Sequence, residues 1–282
     1  MGVDAQAKIF QNPAMTYHGK TALITGASAG IGAAFARSFA AKGANLILTA
    51  RREDRLRVLA AEIEDVHGVK VTVVTADLAE PAAPDEIATA LKADGVKVDI
   101  LVNNAGYGLP GYYTASDWKA HRDFLELMVT GYAHLTHLFL PGMLERKFGR
   151  IIHVASVAGL VPGSAGHTMY GGSKAFLVSF AQSLAAECDR TGVTVSAVCP
   201  GFTYSEFHDV NETRPLVSQL PKYMFMDAEP VVEGAIAAVE QGHVIYVPGL
   251  WNKFVVWLMK ALPRPWAANA VRRQSAKFRR NL

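Results

Sequence analysis

The sequence predicts an α/β protein built on a doubly wound parallel β-sheet with helices on both faces, and three observations predict it. Seven strand-like runs alternate with helix-length segments along the chain, the pattern of parallel strands joined by crossover helices. Many of these runs are continuously apolar, as strands covered on both faces must be. Polar or glycine-rich motifs follow several of them, at the strand ends where open α/β sheets bind ligands.

The first run, near 20–25, contains Ala22-Leu23-Ile24 and leads through Thr25-Gly26-Ala27-Ser28-Ala29-Gly30-Ile31-Gly32 into Ala33-Ala34-Phe35-Ala36-Arg37, a good helix former. Strand, glycine-rich turn and helix start, in that order, aim backbone N–H groups and the positive helix end at a pyrophosphate. Three residues separate the first two glycines, where the more familiar pattern has one. The second run, near 45–49, ends in Ala50-Arg51-Arg52, and the third, near 70–75, precedes Asp77-Leu78. The fourth, near 98–102, is followed by Asn103-Asn104-Ala105-Gly106, the fifth, near 149–154, by Ser156, and the sixth, near 193–198, by Pro200-Gly201. A seventh lies near 244–247. Between the fifth and sixth, Tyr170 and Lys174 stand four apart, so that on a helix both side chains address one spot. A neighbouring ammonium favours the phenolate, which makes the two a proton-transfer pair. The piece from about 202 to 227, interrupted by Pro215 and Pro221, has the length of a lid.

This ordered set resembles the short-chain dehydrogenase/reductase family, most closely its bacterial general oxidoreductases, from about Lys20 to about Pro248. The resemblance implies a Rossmann-type fold and hydride transfer between a nicotinamide cofactor and a carbonyl or secondary alcohol. It implies that Gly26, Ser28, Gly30, Ile31 and Gly32 hold the cofactor phosphates and that Asp77 and Leu78 meet the adenine. Asn104, Ala105 and Gly106 would line the adenine-ribose pocket, and Pro200, Gly201 and Thr203 complete the cofactor-binding set. Ser156 would orient the carbonyl, Tyr170 pass the proton, and Lys174 lower the tyrosine pKa and hold the nicotinamide ribose. The 14-residue interval from Ser156 to Tyr170 is slightly long for the family, which an insertion within Gly163-Ser164-Ala165-Gly166-His167 explains. A homodimer or homotetramer is expected by the same resemblance. The region 202–227 would cover the substrate, with Phe202, Tyr204, Phe207, Leu216, Tyr223, Met224 and Phe225 either lining the pocket or anchoring the lid.

An enzyme preferring NAD generally carries a carboxylate about 20 residues past the glycine turn. Here Arg51 stands 19 residues after Gly32. A guanidinium there attracts a 2′-phosphate, and Arg52 adds a second charge. NADP(H) is therefore expected over NAD(H), although Glu53, Asp54 and the uncharged Ala29 weigh a little against it. A further departure lies at Met128, where the register set by Gly131 and Thr136 places an asparagine in the family. That asparagine helps hold a water in the proton relay, and a thioether accepts hydrogen bonds only weakly. Either the register differs, or Thr130 or backbone serves instead, or turnover is impaired. The last would make the chain a cofactor-binding scaffold or sensor with weak catalysis.

With 282 residues and 50% hydrophobic content, one domain over 19–249 is expected, with an N-terminal arm over 1–18 and a helical extension over 250–282. Cys188 and Cys199 show no paired spacing, which points to buried thiols and a reducing cytoplasm. The first 16 residues lack the apolar core of a signal peptide, so a loosely held arm is expected. The sequon Asn211-Glu212-Thr213 then counts as a chance match. His134 and His137, three apart, have no carboxylate or cysteine pattern with them and read as surface or packed histidines; no metal is expected. His153, His167 and His208 are given no role. No motif for nucleic-acid binding is evident.

Net charge is +3, yet beyond Glu240 there is no acidic residue and there are eight basic ones; without those eight the rest of the chain stands at −5. The same tail holds Trp251, Trp257 and Trp266 beside Phe254-Val255-Val256-Trp257-Leu258-Met259. That run is too short to cross a bilayer. It fits an interfacial amphipathic helix in peripheral membrane contact, or a face packed on the domain or on another subunit.

Overall fold

The computed structural model describes residues 16–109, 111–166, 168–204 and 221–279. Seven parallel strands, β1 (Thr21–Thr25), β2 (Asn45–Ala50), β3 (Val71–Thr75), β4 (Ile100–Asn103), β5 (Gly149–Val154), β6 (Val193–Val198) and β9 (Ile245–Tyr246), form one sheet in the order β3-β2-β1-β4-β5-β6-β9. Each falls within about two residues of the run that predicts it. Two further short strands, β7 (Phe202–Thr203) and β8 (Phe225–Met226), pair parallel to each other. Both lie in the segment read as irregular: a two-residue pairing leaves no periodicity for a sequence to display. Phe207, Leu216, His167, His208 and the sequon at 211–213 lie outside the described residues.

The helices are α1 (Gly30–Ala41), α2 (Glu53–His67), α3 (Ala83–Ala93), α4 (Trp118–Leu125), α5 (Gly131–Glu145), α6 (Thr168–Glu187), α7 (Ala228–Glu240), α8 (Leu250–Ala261) and α9 (Arg264–Arg279). They divide between the faces, and the core divides with them. On one face Phe35, Phe39, Leu56, Ile63 and Val232 pack over Ile24, Leu48 and Val102. On the other, Ile87, Phe124, Tyr132, Leu177 and Ala181 cover Leu23, Leu101, Ile151 and Val195. Adjacent residues of β1, Leu23 and Ile24, thus enter different cores, which is why the strand carries no polar alternation.

The chain is fixed from Tyr17 onward. Tyr17 is buried, donates its N–H to the Lys42 carbonyl at 2.7 Å and its hydroxyl to Glu240 at 2.7 Å, and sets its ring edge-on to Phe39. Arg150 closes the same corner with two bonds to Glu240 at 2.8 and 3.0 Å.

Connections reverse direction between β1 and β4, so the strand ends there diverge and open a crevice. Thr25 and Asn104 lace its two sides. The fully buried Thr25 Oγ1 donates to the Val102 carbonyl at 3.2 Å and accepts from the backbone N–H groups of Asn104 and Ala105 at 2.8 and 3.0 Å. Asn104 Nδ2 returns a bond to the Thr25 carbonyl at 2.8 Å and reaches the Gly26 carbonyl at 3.3 Å. Replacing the hydroxyl by a methyl leaves two N–H donors unpaired in the interior. Thr25→Val is expected to destabilise the protein by about 2–4 kcal/mol, against a much smaller loss for Thr25→Ser, as read by urea denaturation.

Candidate active site

The glycine-rich turn carries β1 into α1. Gly26 takes φ 65°, a conformation that favours glycine, and a Cβ on Gly32 would run into the Gly26 carbonyl. Ala29 sits at the helix start in extended conformation, supplies no side-chain cap, and is followed by no acidic residue in the first turn. The first-turn N–H groups of Gly30, Ile31 and Gly32 therefore meet no capping side chain at the positive end of the helix. This cradle fits the pyrophosphate of a dinucleotide.

Beside it, the two arginines after β2 part company. Arg52 turns into the glycine-rich segment and donates to Ser28 Oγ through Nη2 at 3.0 Å and Nε at 3.3 Å. Arg51 is largely exposed, with Nη1 3.8 Å from Asp77 Oδ2. Of the two, Arg52 is the one that contacts the turn, while Arg51 stands beside Asp77. Asp77 Oδ1 accepts from Ala79 N at 3.0 Å, and Leu78 is buried.

Ser156, Tyr170 and Lys174 are brought together. Ser156 follows β5, accepts the Ala158 N–H at 3.1 Å, and directs its hydroxyl at the Pro200 carbonyl at 3.4 Å. Its side chain also hydrogen-bonds Tyr170. Helix α6 begins two residues before Tyr170, so Tyr170 and the buried Lys174 lie on consecutive turns. Lys174 Nζ donates to the Val154 carbonyl at 2.6 Å and stands 5.6 Å from the centre of the Tyr170 ring and 5.8 Å from that of Tyr132. Beyond β6, Thr203 is buried in β7 and sets its hydroxyl 3.4 Å from the Gly201 carbonyl.

Burial dominates the protonation of this group. It pushes Tyr170 up to about 12 against the lowering effect of the Ser156 hydrogen bond, and it pushes Lys174 down to about 7. The expectation that Lys174 lowers the Tyr170 pKa is not met here. The ammonium is itself destabilised by burial, and the interaction that lowers Tyr170 comes from Ser156.

Met128 occupies a π-turn, Glu126–Thr130, between α4 and α5. It is fully buried and its thioether packs on Gly106, where an added Cβ would lie 2.8 Å from Sδ. Thr130 is exposed. Tyr132, one turn on, is buried, and its hydroxyl donates to the Ala105 carbonyl at 2.7 Å. Nothing in an isolated Tyr132 marks it in the sequence. His153 lies behind the site rather than lining it, wholly buried between the rings of Tyr132 and Phe180, and burial pushes its pKa down to about 3. Its Nδ1 is 3.2 Å from Asn103 Nδ2. His134 faces Asp85 at 3.5 Å, His137 is exposed, and no metal-binding cluster occurs among the described residues.

A second residue missed by sequence reading is Asn252, near the start of α8. It is buried, donates from Nδ2 to the Pro248 carbonyl at 2.8 Å, and its amide oxygen fills the space where a Cβ on Gly201 would stand. The extension is thereby seated on the loop that follows β6.

Comparison with known proteins agrees with this geometry. Residues 20–215 match the family model described as short chain dehydrogenase. A short chain dehydrogenase of Pseudocercospora fijiensis is 40% identical over 209 residues, which span 72% of this chain and 66% of that protein. Among solved structures, a short-chain dehydrogenase from Sphingobium yanoikuyae in complex with NADPH is 31% identical with a TM-score of 0.76, covering 86% of this chain and 96% of that one. A short chain dehydrogenase/reductase from Burkholderia phymatum in complex with NAD is 29% identical with a TM-score of 0.74, covering 86% and 93%.

Unfolding returns Lys174 from about 7 to its ordinary 10.5. Between those values the unfolded chain holds the extra proton, so the lysine's contribution to stability rises with pH across this window, by at most about 1.4 kcal/mol per unit. Urea denaturation of the wild type and Lys174→Met is expected to show a stability difference that moves in favour of the wild type from about pH 7 upward. A difference independent of pH would show that the lysine is buried without cost to its charge.

Proposed function

The chain belongs to the short chain dehydrogenase family of oxidoreductases, which act on CH–OH or C=O groups, and within it we propose an NADP(H)-dependent enzyme for a hydrophobic carbonyl or secondary alcohol. The observation that carries this reading is the convergence of Ser156, Tyr170 and Lys174 at the C-terminal end of β5, beside the glycine-rich cradle.

A bound nicotinamide supplies or takes the hydride. The chain's own residues manage the proton and the charge on oxygen. Tyr170, held as the neutral phenol at neutral pH, donates its proton to the substrate oxygen as negative charge develops there. Ser156, already joined to Tyr170, fixes that oxygen by a second hydrogen bond. Lys174, poised near neutrality and bonded to the Val154 carbonyl, offers an ammonium proton behind the tyrosine. Gly26, Ser28, Gly30, Ile31 and Gly32 would receive the cofactor phosphates, with Asp77, Leu78, Asn104, Ala105 and Gly106 around the adenosine and Pro200, Gly201 and Thr203 closing the far side.

NADP(H) is favoured by two guanidinium groups at the end of β2, one on Ser28 and one beside Asp77. A hydrophobic substrate is favoured by Phe202, Tyr204 and Phe225, which stack with ring centres 4.9 to 5.5 Å apart at the base of the lid segment. We read residues 19–249 as the catalytic unit of a cytoplasmic homodimer or homotetramer, with a C-terminal extension facing a membrane. No described helix is long and apolar enough to cross one. A second reading, a cofactor-binding scaffold with weak catalysis, rests on the buried thioether of Met128 where a relay asparagine is expected. Met128→Asn separates the two, since a substantial rise in turnover is expected only if the relay is impaired.

With NADPH and a panel of hydrophobic ketones, Tyr170→Phe is expected to lower the rate about 10²–10⁴-fold while NADPH binding persists. Arg51→Ala/Arg52→Ala is expected to weaken NADPH about 10–100-fold and NADH little. Equal dissociation constants for the two cofactors in the wild type would defeat the NADP(H) assignment.

A further inference from the structure

Helix α8 is amphipathic in an inverted sense. Its inward side carries Asn252 and Val256, one turn apart and both buried against the domain. Its outward side carries Leu250, Phe254 and Trp257, which are 68%, 48% and 62% exposed, with Trp251 on the shoulder at 38%. The rings form a continuous strip: Trp251 to Phe254 at 5.9 Å, Phe254 to Trp257 at 6.1 Å, and Trp251 edge-on to Tyr223 at 5.3 Å. Through Tyr223 the strip reaches the base of the lid segment, and through Asn252 the helix sits on Gly201. On α9 Trp266 is also 66% exposed. A monomeric soluble surface rarely keeps so many large aromatic rings in water side by side.

What covers this face is indicated by charge. Lys253 and Lys260 lie along one flank of the outward stripe, seven residues apart and so on the same side of the helix. Beyond Glu240 the sequence has no acidic residue to balance its eight basic ones. A second copy packing α8 antiparallel on α8 about a two-fold axis would set Lys253 and Lys260 on the same side as those of the first. A bilayer carrying anionic headgroups meets both features at once, rings at the acyl boundary and ammonium groups among the phosphates. The 12-residue helix lies in the interface and does not cross it.

We propose that the outer face of α8, through Leu250, Trp251, Phe254 and Trp257 with Lys253 and Lys260 at its flank, docks this protein on a lipid bilayer bearing anionic headgroups. Docking there sets Tyr223, at the base of the lid segment, and the Gly201 loop beneath Asn252 near the membrane surface, where apolar carbonyl compounds accumulate. The docking rests on the membrane-facing reading of the extension and is independent of the chemistry at Tyr170.

The test uses the full-length protein, sedimented with vesicles of phosphatidylcholine alone and of phosphatidylcholine with phosphatidylserine, at low and high salt. The wild type is expected to pellet with the phosphatidylserine vesicles, less so as salt rises, and to stay in solution with phosphatidylcholine. Phe254→Ala/Trp257→Ala is expected to weaken that partition by about tenfold or more, and Lys253→Glu/Lys260→Glu to remove its salt dependence, both with the circular dichroism spectrum of the wild type. No pelleting at low salt, equal pelleting with both vesicles, or variants that bind as the wild type would overturn the proposal. So would vesicle-independent behaviour in which the aromatic variant instead dissociates an oligomer in sedimentation velocity, which would make the face a subunit interface.

Discussion

The site depends first on how two diverging strands are held at a fixed separation. At the crevice between β1 and β4 no main-chain ladder can continue, because the chain leaves the two strands in opposite directions. The Thr25 hydroxyl and the Asn104 carboxamide take over from the ladder there. They tie the segment that carries the glycine-rich turn to the segment that ends in Gly106. Every downstream position, from the uncapped start of α1 to the wall built by Met128 and Tyr132, is set relative to that join.

The chemical group is placed with similar economy, but at an electrostatic cost. Lys174 must be buried to stand beneath Tyr170, and burial disfavours its charge. A single backbone acceptor, the Val154 carbonyl, and two aromatic ring faces at the edge of effective range offset part of that cost. The lysine therefore sits near the point where gain and loss of a proton are balanced. The same low-dielectric surroundings keep His153 neutral and Tyr170 protonated, so the whole cluster carries little fixed charge.

Much of the fold and of the central site was legible in the chain. The seven main strands show themselves as apolar runs because both faces of the sheet are covered, and Ser156, Tyr170 and Lys174 are short-range features of a strand end and a helix. Side-chain direction was harder to read. Arg51 and Arg52 follow the same strand, and one residue of register decides which of them turns to Ser28. Asn252 and Tyr132 were missed because their partners, Gly201 and Ala105, are remote in sequence and no local pattern links them. The anchoring of Tyr17 was invisible for the same reason, its partner Glu240 lying at the other end of the domain. The pairing of β7 with β8 is too short to leave a period at all.

The seat of Asn252 on Gly201 has a practical side. The last helices are fastened to a loop that shapes the cleft, so the C-terminus is no neutral handle. Removing the chain beyond Pro248 would empty a polar contact and uncover Gly201 together with the Met226 thioether, to which Asn252 also points. A purification tag or fluorescent partner joined at that end would load the same joint. Fusions intended to report native turnover are better joined at the N-terminus, where Tyr17 lies among Lys42, Phe39 and Glu240 and not on the Gly201 loop.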